Sequence, residues 1–566
     1  MINRFKKFSL LLKEVFRRKS FLTFVDFLIY RTPFAYRWSR LCGYDFHKST
    51  IVWIKEENGV HTRLTLLLPR FLFELPEMKT LDMEFELYRD TGEFVKRWEI
   101  KNISVDKEFV LDSKYHAEIP RPFYGSLWIK QRLHVDRQLF FKWAKGLFSV
   151  ASTYVEYYSE GSFVTVTHDY SAFLPDQGIH FKPVGLIPAY CDDECETHFV
   201  IHAAKAGIKA RDIEVTLFNK RGEEQVVRLK PLKPFAMRRV FLSQLFPNAK
   251  EFLKEGVGQL ELKGIFRHLF ARVAYGVVNK KTDSFSFDHC FYSVFKHGYI
   301  SDRDRERFPK GYFNPFFILE DGEITTSVIL FHKSEYPYEK NIDLLIYDEN
   351  GSCIIRLPSY LCLRGNSTEK MNLKPVLEKF GISGRFMGHG EVLYHQSKKY
   401  TSYPNYLDVV MEYRSGDHFA NVLFGSKLWN KGDELKLKPR DLHSFGCRIV
   451  CNDIQTTYLA MSNCSHDYNY RLTVRFDLDL IVNGRVVEHR TMSIQPEATL
   501  YHSVEEFFPN ARKHLEQSEG IGILSYTILN SSLLATAFLT VDRKSQALSI
   551  EHTLEVPSFP RALESS

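Results

Sequence analysis

The segment Phe-Pro-Asn-Ala-Lys at positions 246–250, followed by Gly-Val-Gly-Gln-Leu at 256–260, recurs near the C-terminus. There the chain reads Phe-Pro-Asn-Ala-Arg at 508–512 and Gly-Ile-Gly-Ile-Leu at 520–524. Half of this offset finds two further copies of the glycine, so that Gly125, Gly258, Gly390 and Gly522 are spaced 133, 132 and 132 residues apart. This spacing predicts four copies of one unit, with the four glycines at equivalent positions at the start of a core strand.

A second periodic feature is a glycine turn that follows an alternating apolar run in each copy. Its glycines are Gly92, Gly222, Gly351 and Gly484, which lie 130, 129 and 133 residues apart. Hairpin turns favour glycine because it adopts positive φ without strain. Each unit is therefore predicted to contain strands on both sides of this turn, a short helical connection, the glycine strand and two closing strands.

Short strands at turn-marked spacing predict a mainly β fold of four tandem antiparallel β-sandwich repeats, each of about 120–130 residues. The repeats are predicted at residues 48–172, 180–299, 312–428 and 441–556, behind a basic amphipathic helical segment at 1–47. A period near 130 is too long for a solenoid unit, so each copy is expected to have its own core.

The basic surplus of the chain lies in its first 50 residues. They carry eleven Lys/Arg against three acidic residues, a charge of +8, which leaves −1 for the rest of a chain whose net charge is +7. A neutral body argues against nucleic-acid binding, which needs many distributed phosphate contacts.

Apolar and basic side chains alternate at helical spacing near the N-terminus, and the apolar runs are too short to span a bilayer. This pattern favours a helix on an anionic membrane surface, and the alternative is a helical hairpin packed on repeat 1 or on another subunit. The residues expected to contact the membrane are Phe5, Lys6, Phe8, Leu12, Arg17 and Arg18. The predicted location is the cytoplasm, at the inner face of the membrane.

Nine cysteines are scattered along the chain without a Cys-x-x-Cys motif. The interpretation is reduced structural thiols in a reducing compartment, and a zinc site formed by the pairs Cys191/Cys195 and Cys447/Cys451 is the alternative. Phosphate-loop, dinucleotide-binding and His-Glu-x-x-His motifs are absent from the sequence. We therefore predict no catalytic residue, no metal ligand and no cofactor.

A polar residue recurs on the closing strand of each repeat, at His168, His289, Asn421 and His552. Acidic neighbours accompany the three histidines, but adjacent residues on a strand point to opposite faces. Asparagine replaces histidine as a hydrogen-bonding group and not as a base. The four positions are predicted to contact a ligand or the neighbouring repeat without catalysis, or to fill seams between repeats.

Tyr394 and His395 begin a cluster of aromatic and polar residues in repeat 3 that continues with tyrosines at 400, 403 and 406. Tyrosine faces stack on sugars or peptides and also line ordinary sandwich edges. Tyr394 and His395 are therefore candidate ligand contacts.

In strand order and loop pattern, repeats 2 and 4 resemble the small β-sandwich of sensory rhodopsin transducer proteins. The likeness includes the basic closing hairpin at residues 540–546. The resemblance implies a non-catalytic binding fold and assigns no functional residue.

Together these features predict a non-catalytic, multivalent binding or scaffold protein that binds a glycan, an envelope precursor or a protein. One alternative is an enzyme with a single active repeat around His289 or His395. The other is a structural subunit that assembles through sheet edges.

Overall fold

Most of the described chain forms antiparallel β-strands, so the protein is mainly β. The computed structural model describes residues 46–66, 80–104, 108–133, 153–169, 184–203, 207–210, 212–264, 273–289, 291–292, 312–332, 339–394, 408–424, 444–465, 470–530, 534–552 and 554–556. Residues 1–45 of the predicted N-terminal helical segment, with its six membrane-contact residues, lie outside these ranges. The last two residues of that segment, Phe46 and His47, belong to the first strand, so the helical prediction is wrong for them.

The first two repeats contain strands β1 to β17. Those of repeat 1 are β1 (Phe46–Glu56), β2 (His61–Leu66), β3 (Thr80–Arg89), β4 (Phe94–Ser104), β5 (Phe109–Asp112), β6 (Phe123–Leu133), β7 (Thr153–Ser159) and β8 (Phe163–Asp169). Those of repeat 2 are β9 (Val184–Ala189), β10 (Cys195–His202), β11 (Ile213–Phe218), β12 (Glu224–Arg228), β13 (Met237–Phe241), β14 (Gly258–Gly264), β15 (Ala274–Asn279), β16 (Asp288–His289) and β17 (Phe291–Tyr292).

The last two repeats contain strands β18 to β34. Those of repeat 3 are β18 (Tyr312–Glu320), β19 (Ile324–His332), β20 (Lys340–Asp348), β21 (Cys353–Leu363), β22 (Ser367–Asn372), β23 (Phe386–Tyr394), β24 (Asp408–Ser415) and β25 (His418–Phe424). Those of repeat 4 are β26 (Ser444–Val450), β27 (Gln455–Ser462), β28 (Val474–Val482), β29 (Arg485–Ile494), β30 (Thr499–Ser503), β31 (Ile521–Ile528), β32 (Ala535–Asp542), β33 (Leu548–His552) and β34 (Leu554–Val556).

One topology recurs in all four repeats. The first sheet of each repeat has the strand order first-sixth-third-fourth, and the second sheet has the order fifth-second-seventh-eighth. In repeats 2 and 4 a ninth strand, β17 or β34, extends the first sheet beside its first strand. The two sheets of a repeat share a core, as Val215 and Leu260 of one sheet do with Phe199 and Tyr275 of the other in repeat 2.

Short helices precede the sixth strand in repeats 2, 3 and 4. They are α1 (Leu242–Leu245), α2 (Ala249–Phe252), α3 (Leu373–Lys379), α4 (Val504–Phe507) and α5 (Ala511–Leu515). Helix α4 begins with a capping box: the Ser503 hydroxyl accepts the Glu506 N–H at 3.1 Å, and the Glu506 carboxylate accepts the Ser503 N–H at 2.6 Å. Phe507 and Leu515 are buried, so these helices close one end of the sandwich.

A threonine on the second strand provides a common reference position in every repeat. Its side-chain oxygen accepts a backbone N–H from the first strand at 2.8 to 2.9 Å, which links the two sheets beside their connecting turn. The pairs are Thr62 with Lys55, Thr197 with Tyr190, Thr326 with Leu319, and Thr457 with Val450.

This threonine register shows which glycines of the sixth strands correspond. In each repeat, one first-strand residue donates its N–H to the threonine. The residue just before it pairs with Gly125, Gly258 and Gly522 in repeats 1, 2 and 4. In repeat 3 the residue at this position pairs with Gly388. The prediction is therefore wrong for Gly390 by two residues. A Cβ on Gly125, Gly258 or Gly388 would lie 2.1 to 2.3 Å from a third-strand carbonyl oxygen, which explains the glycine.

The turn glycines that follow the third strands do adopt positive φ, between 75° and 89°. Three of them also abut the next repeat. A Cβ on Gly92 would lie 2.3 Å from the Pro234 oxygen, one on Gly351 2.4 Å from the Pro496 oxygen, and one on Gly222 3.2 Å from the Gly365 oxygen. Glycine at these turns therefore allows close packing between repeats as well as a tight bend.

Successive repeats meet head to tail. Next to the glycine turns, the Met237 backbone N–H donates to the Asp90 carbonyl oxygen at 2.9 Å. In the same way, the Thr499 backbone N–H donates to the Glu349 carbonyl oxygen at 3.0 Å. The sixth strand of one repeat faces the fifth strand of the next, as β14 does with β22 and β23 with β30. The same kind of seam thus joins repeats 1 and 2, 2 and 3, and 3 and 4.

Repeat 4 returns to repeat 1 and closes the series. The buried side chains of Arg448 and Glu156 form an ion pair at 2.5 Å, and the Val166 N–H donates to the Ser549 hydroxyl at 2.6 Å. Tyr154 and Phe538 pack edge to face, 5.4 Å apart. Head-to-tail contacts that return to their start form a ring, so the four repeats make a pseudo-symmetric cycle within one chain.

Candidate functional site at the centre of the ring

The eighth strands of the four repeats meet at the centre of the ring. Strand β8 contacts β16 and β33, and strand β25 contacts the same two strands. A side-chain hydrogen bond supports one of these contacts, because the Phe287 N–H donates to the Thr165 hydroxyl at 2.8 Å. The closing strands, on which the four polar candidates lie, therefore surround the centre.

The strand registers place three of the four candidates at equivalent positions. His168, His289 and His552 stand opposite Tyr154, Ala274 and Ala537 of the neighbouring seventh strands. In repeat 3 the equivalent position belongs to Leu423, opposite Val410. Asn421 lies two residues earlier, opposite Glu412, so the predicted equivalence of Asn421 with the histidines is wrong.

His289 and His552 come together although they belong to non-adjacent repeats. Their ring centroids are 5.7 Å apart at an interplanar angle of 79°. His289 is buried and His552 is partly buried. The facing residue on the seventh strand is alanine in both repeats, which leaves room for the two imidazoles.

The two acidic neighbours adopt one local arrangement. The Asp288 carboxylate accepts the backbone N–H of His289 at 2.6 Å, and the Glu551 carboxylate accepts that of His552 at 2.7 Å. The Asp288 carboxylate lies 4.0 Å from the Nε2 atom of His289, and the Glu551 carboxylate lies 3.7 Å from the Nε2 atom of His552. Both carboxylates are buried, so each histidine has a negative charge close to its ring.

Ligand atoms of His289, Glu551 and His552 lie within 4.8 Å of one another, a spacing at which the three could hold a metal ion. Without an ion, two imidazoles beside two carboxylates can share protons and join repeats 2 and 4. Either arrangement ties opposite sides of the ring together. We name these three residues, with Asp288, the axial cluster.

The remaining candidate residues are placed only in part. For His168 the structure describes the strand and not the side chain, and the same holds for Tyr394, the last residue of β23. His395 lies outside the described residues. Asn421 is buried, and its amide atoms have no hydrogen-bond partner within the described part of the chain.

The cysteines contribute to neither group of metal-ligand residues found in the described ranges. Seven of the nine lie in those ranges, and all seven are free thiols. Burial raises the pKa of Cys451 to about 11, which keeps this thiol protonated near neutral pH. Five of the seven are buried, whereas Cys353 and Cys362 are exposed, and the interpretation of structural thiols stays a prediction.

A second group was missed by sequence reasoning. His389, Glu391 and Glu497 meet at the seam between repeats 3 and 4, with ligand atoms within 4.8 Å of one another. His389 and Glu391 are two apart on β23 and therefore share one face of the sheet. That spacing is visible in the sequence, but the contribution of Glu497 depends on how the repeats dock.

No protein-family model matches the chain, and no curated protein matches it either. The resemblance to the transducer sandwich therefore stays a prediction. Among the helices of the described ranges, none is long and apolar enough to cross a membrane.

Proposed function

We propose that this protein is a non-catalytic, multivalent scaffold that binds glycan or envelope-precursor ligands at the inner face of the membrane. The observation that supports this most directly is the repeated exposure of one strand. The fourth strand of every repeat (β4, β12, β21 and β29) forms an outer edge of its sheet. We call these four the outer strands.

Each outer strand presents an apolar side chain to solvent within its first three residues. Phe94, Val226, Ile354 and Val486 are between 36% and 53% exposed, although they belong to regular strands. Single exposed apolar residues are common on proteins, but here every outer strand has one. Phe94 and Val486 share a strand register, whereas Val226 lies two residues further along β12 and Ile354 lies in a bulge of β21. Charged residues such as Lys96 and Arg485 alternate with them and supply hydrogen-bonding groups beside the apolar contact.

The ring geometry determines how much binding affinity the protein gains by using several outer strands at once. Four related sites on one ring hold their spacing without flexible linkers, so a repeating polymer can engage several at once. Binding the second site is then intramolecular, and avidity exceeds single-site affinity by about 10²- to 10⁴-fold when the spacing fits. A glycan with repeating units is the ligand class that uses this arrangement best.

A glycan array probed with the full chain tests the proposal. The variant set is Phe94→Lys, Val226→Lys, Ile354→Lys and Val486→Lys, singly and combined. We expect each single change to weaken binding to repeating glycans several-fold and the combination to abolish it. The matched control is Glu93→Gln beside Phe94. Unchanged binding by the combined variant would refute the proposed surface.

A protein strand is the second candidate ligand, because an outer strand carries backbone groups that can pair with another chain. The same edges would serve a structural subunit that assembles with further copies. Concentration-dependent self-association of the full chain, lost in the combined lysine variant, would favour assembly over glycan binding.

The membrane contact is supported by the +8 segment at residues 1–50. Each Lys or Arg near an anionic surface contributes about 1 kcal/mol. Co-sedimentation with vesicles of phosphatidylglycerol and phosphatidylcholine compares the full chain with one that begins at Lys48. We expect only the full chain to pellet, and equal pelleting would refute this contact.

The enzyme alternative around His289 is less favoured. Its imidazole is buried against His552, and the Asp288 carboxylate accepts its backbone N–H. A base in catalysis needs access to its substrate. His395 lies outside the described residues and adds no support.

A further inference from the structure

We propose that His389, Glu391 and Glu497 form a binding site for a divalent first-row transition metal at the seam between repeats 3 and 4. We call this set the seam site. His389 and Glu391 come from β23, and Glu497 comes from the turn before β30. An ion there would bridge two repeats.

The donor set suits such a metal. One imidazole nitrogen and two carboxylates match Zn²⁺ and related ions, whereas Mg²⁺ and Ca²⁺ prefer sites made of oxygen alone. The His389 Nε2 atom and the Glu497 Oε2 atom are 3.7 Å apart. Tetrahedral ligands of Zn²⁺ lie about 3.4 Å from one another, given bonds of about 2.0–2.1 Å. Small side-chain shifts would bring the three ligand atoms to this spacing.

The orientation of His389 supports ligation through Nε2. Its Nδ1 atom lies 3.1 Å from the Thr499 hydroxyl, and Tyr347 stacks on the ring at 4.7 Å with an angle of 3°. When Nδ1 carries the proton and donates to Thr499, the lone pair of Nε2 faces the carboxylates. Metal-bound histidines typically use their second nitrogen in this way.

Burial makes the seam site unusual. His389 and Glu391 are fully buried and the Glu497 side chain is 10% exposed. Within the described residues, the Nε2 atom of His389 has no hydrogen-bond partner. A fully buried, unpartnered nitrogen that faces carboxylates is costly unless a proton or a cation fills the space between them.

The equivalent seam between repeats 1 and 2 shows that the fold does not need these polar groups. Ser126, Trp128 and Phe235 occupy the corresponding positions there. Phe235 and Glu497 share the positive φ of 60° and 57° and each follows a proline that abuts a turn glycine. Phe235 packs on Trp128 with ring centroids 5.0 Å apart. An apolar seam is thus possible, and the His-Glu-Glu set is specific to repeats 3 and 4.

The seam between repeats 2 and 3 offers a matched control. Glu261 is the counterpart of Glu391 at this seam. The counterpart of His389 is Gln259, and the counterpart of Glu497 is Asn366. The Glu261 carboxylate lies 3.2 Å from the Lys263 ammonium, so Glu261 has its own counter-charge. Glu261→Gln therefore changes a buried carboxylate at the same position of the fold without changing the seam site.

The experiment uses the full chain, stripped with a chelator and titrated with Zn²⁺ by calorimetry, with bound zinc counted by elemental analysis. We expect one zinc per chain and a higher Tm with the ion. His389→Gln and Glu497→Gln should each lower affinity at least 100-fold. Thr499→Val should lower it about 10- to 100-fold, the usual effect of removing a hydrogen bond to a ligand.

Two controls make the outcome decisive. Glu261→Gln and the double variant His289→Ala/His552→Ala should retain the zinc. Zinc lost from the axial double variant and kept by His389→Gln would place the ion at the axial cluster and overturn the proposal. A stripped chain that binds no zinc would overturn it too. Circular dichroism of each variant separates loss of metal from loss of fold.

Discussion

The ion pair that closes the ring gives the sharpest test of how the repeats hold together. Arg448 and Glu156 are 0% and 1% exposed, and their side chains meet at 2.5 Å. Glu156 also accepts from Arg63 at 3.1 Å, and Arg63 has Asp112 as a second partner at 2.9 Å. Glu156 thus has two arginines, whereas the described partner of Arg448 is Glu156 alone.

This asymmetry predicts unequal costs for the two sides of the pair. Burial lowers the pKa of Arg448 and Glu156 opposes that effect, but a guanidinium stays charged near neutral pH with or without the carboxylate. Glu156→Gln leaves this charge buried without a counter-ion and should cost about 3–5 kcal/mol. Arg448→Met leaves Glu156 paired with Arg63 and should cost only about 1–2 kcal/mol. The double variant should be more stable than Glu156→Gln by at least about 1.4 kcal/mol, a tenfold change in the equilibrium.

The assay is native-state hydrogen exchange of β7 and β26, which form this seam, because a chain of four repeats need not unfold in two states. Glu93→Gln on the surface serves as control and should change exchange little. A double variant that is no more stable than Glu156→Gln would refute the stranded-charge argument. Equal costs for both single variants would do the same.

Three further changes test the core, the pH response and the centre of the ring. Gly388→Ala should destabilise repeat 3 more than Gly390→Ala in thermal unfolding, because its Cβ would meet rigid backbone 2.1 Å away, whereas the Cβ at 390 would meet an aromatic ring. Burial raises the pKa of Glu320 from 4.5 to about 6, so its contribution to stability falls as pH rises through that range. Glu320→Gln should therefore raise Tm at pH 7 and not at pH 4, and a constant Tm difference would contradict this. His289→Ala and His552→Ala should each cost about 1–2 kcal/mol of protection in β16 and β33. Because the rings touch, the double variant should cost less than the sum, and strict additivity would argue against the contact.

The sequence predicted the repeated β architecture because glycine is required at the same backbone positions in every copy. Gly92 and Gly351 sit at turns with positive φ, where a side chain would also strike the next repeat. The fifth strands were missed for an equally physical reason. Strand β22 reads Ser-Thr-Glu-Lys-Met-Asn and β30 reads Thr-Leu-Tyr-His-Ser, and neither shows the apolar alternation by which a half-buried strand is recognised.

Both errors of register in repeat 3 come from counting residues along the chain, and loops of unequal length make the second error. The connection between the sixth and seventh strands spans residues 265–273 in repeat 2, 395–407 in repeat 3 and 529–534 in repeat 4. Gly388 and Gly390 flank one histidine, and an even spacing favours the second of them. Counting on from Gly390 then reaches Asn421 instead of Leu423. Hydrogen-bonded register corrects both errors, since loop insertions do not change strand pairing.

Periodicity in the sequence identifies what the repeats share, and the candidate metal site lies where they differ. The same seam position holds Trp128 in repeat 1, Glu261 in repeat 2 and Glu391 in repeat 3. A repeat alignment treats this variation as loss of signal, because the shared pattern reflects the core. In the ring, each of these residues faces a different neighbouring repeat, so the variation between copies can reflect different contacts at each seam. Glu391 becomes a candidate ligand only because the turn of repeat 4 brings Glu497 to it. Specialised chemistry in a duplicated ring is therefore expected at its seams, where one copy can change while the sandwich cores keep their shape.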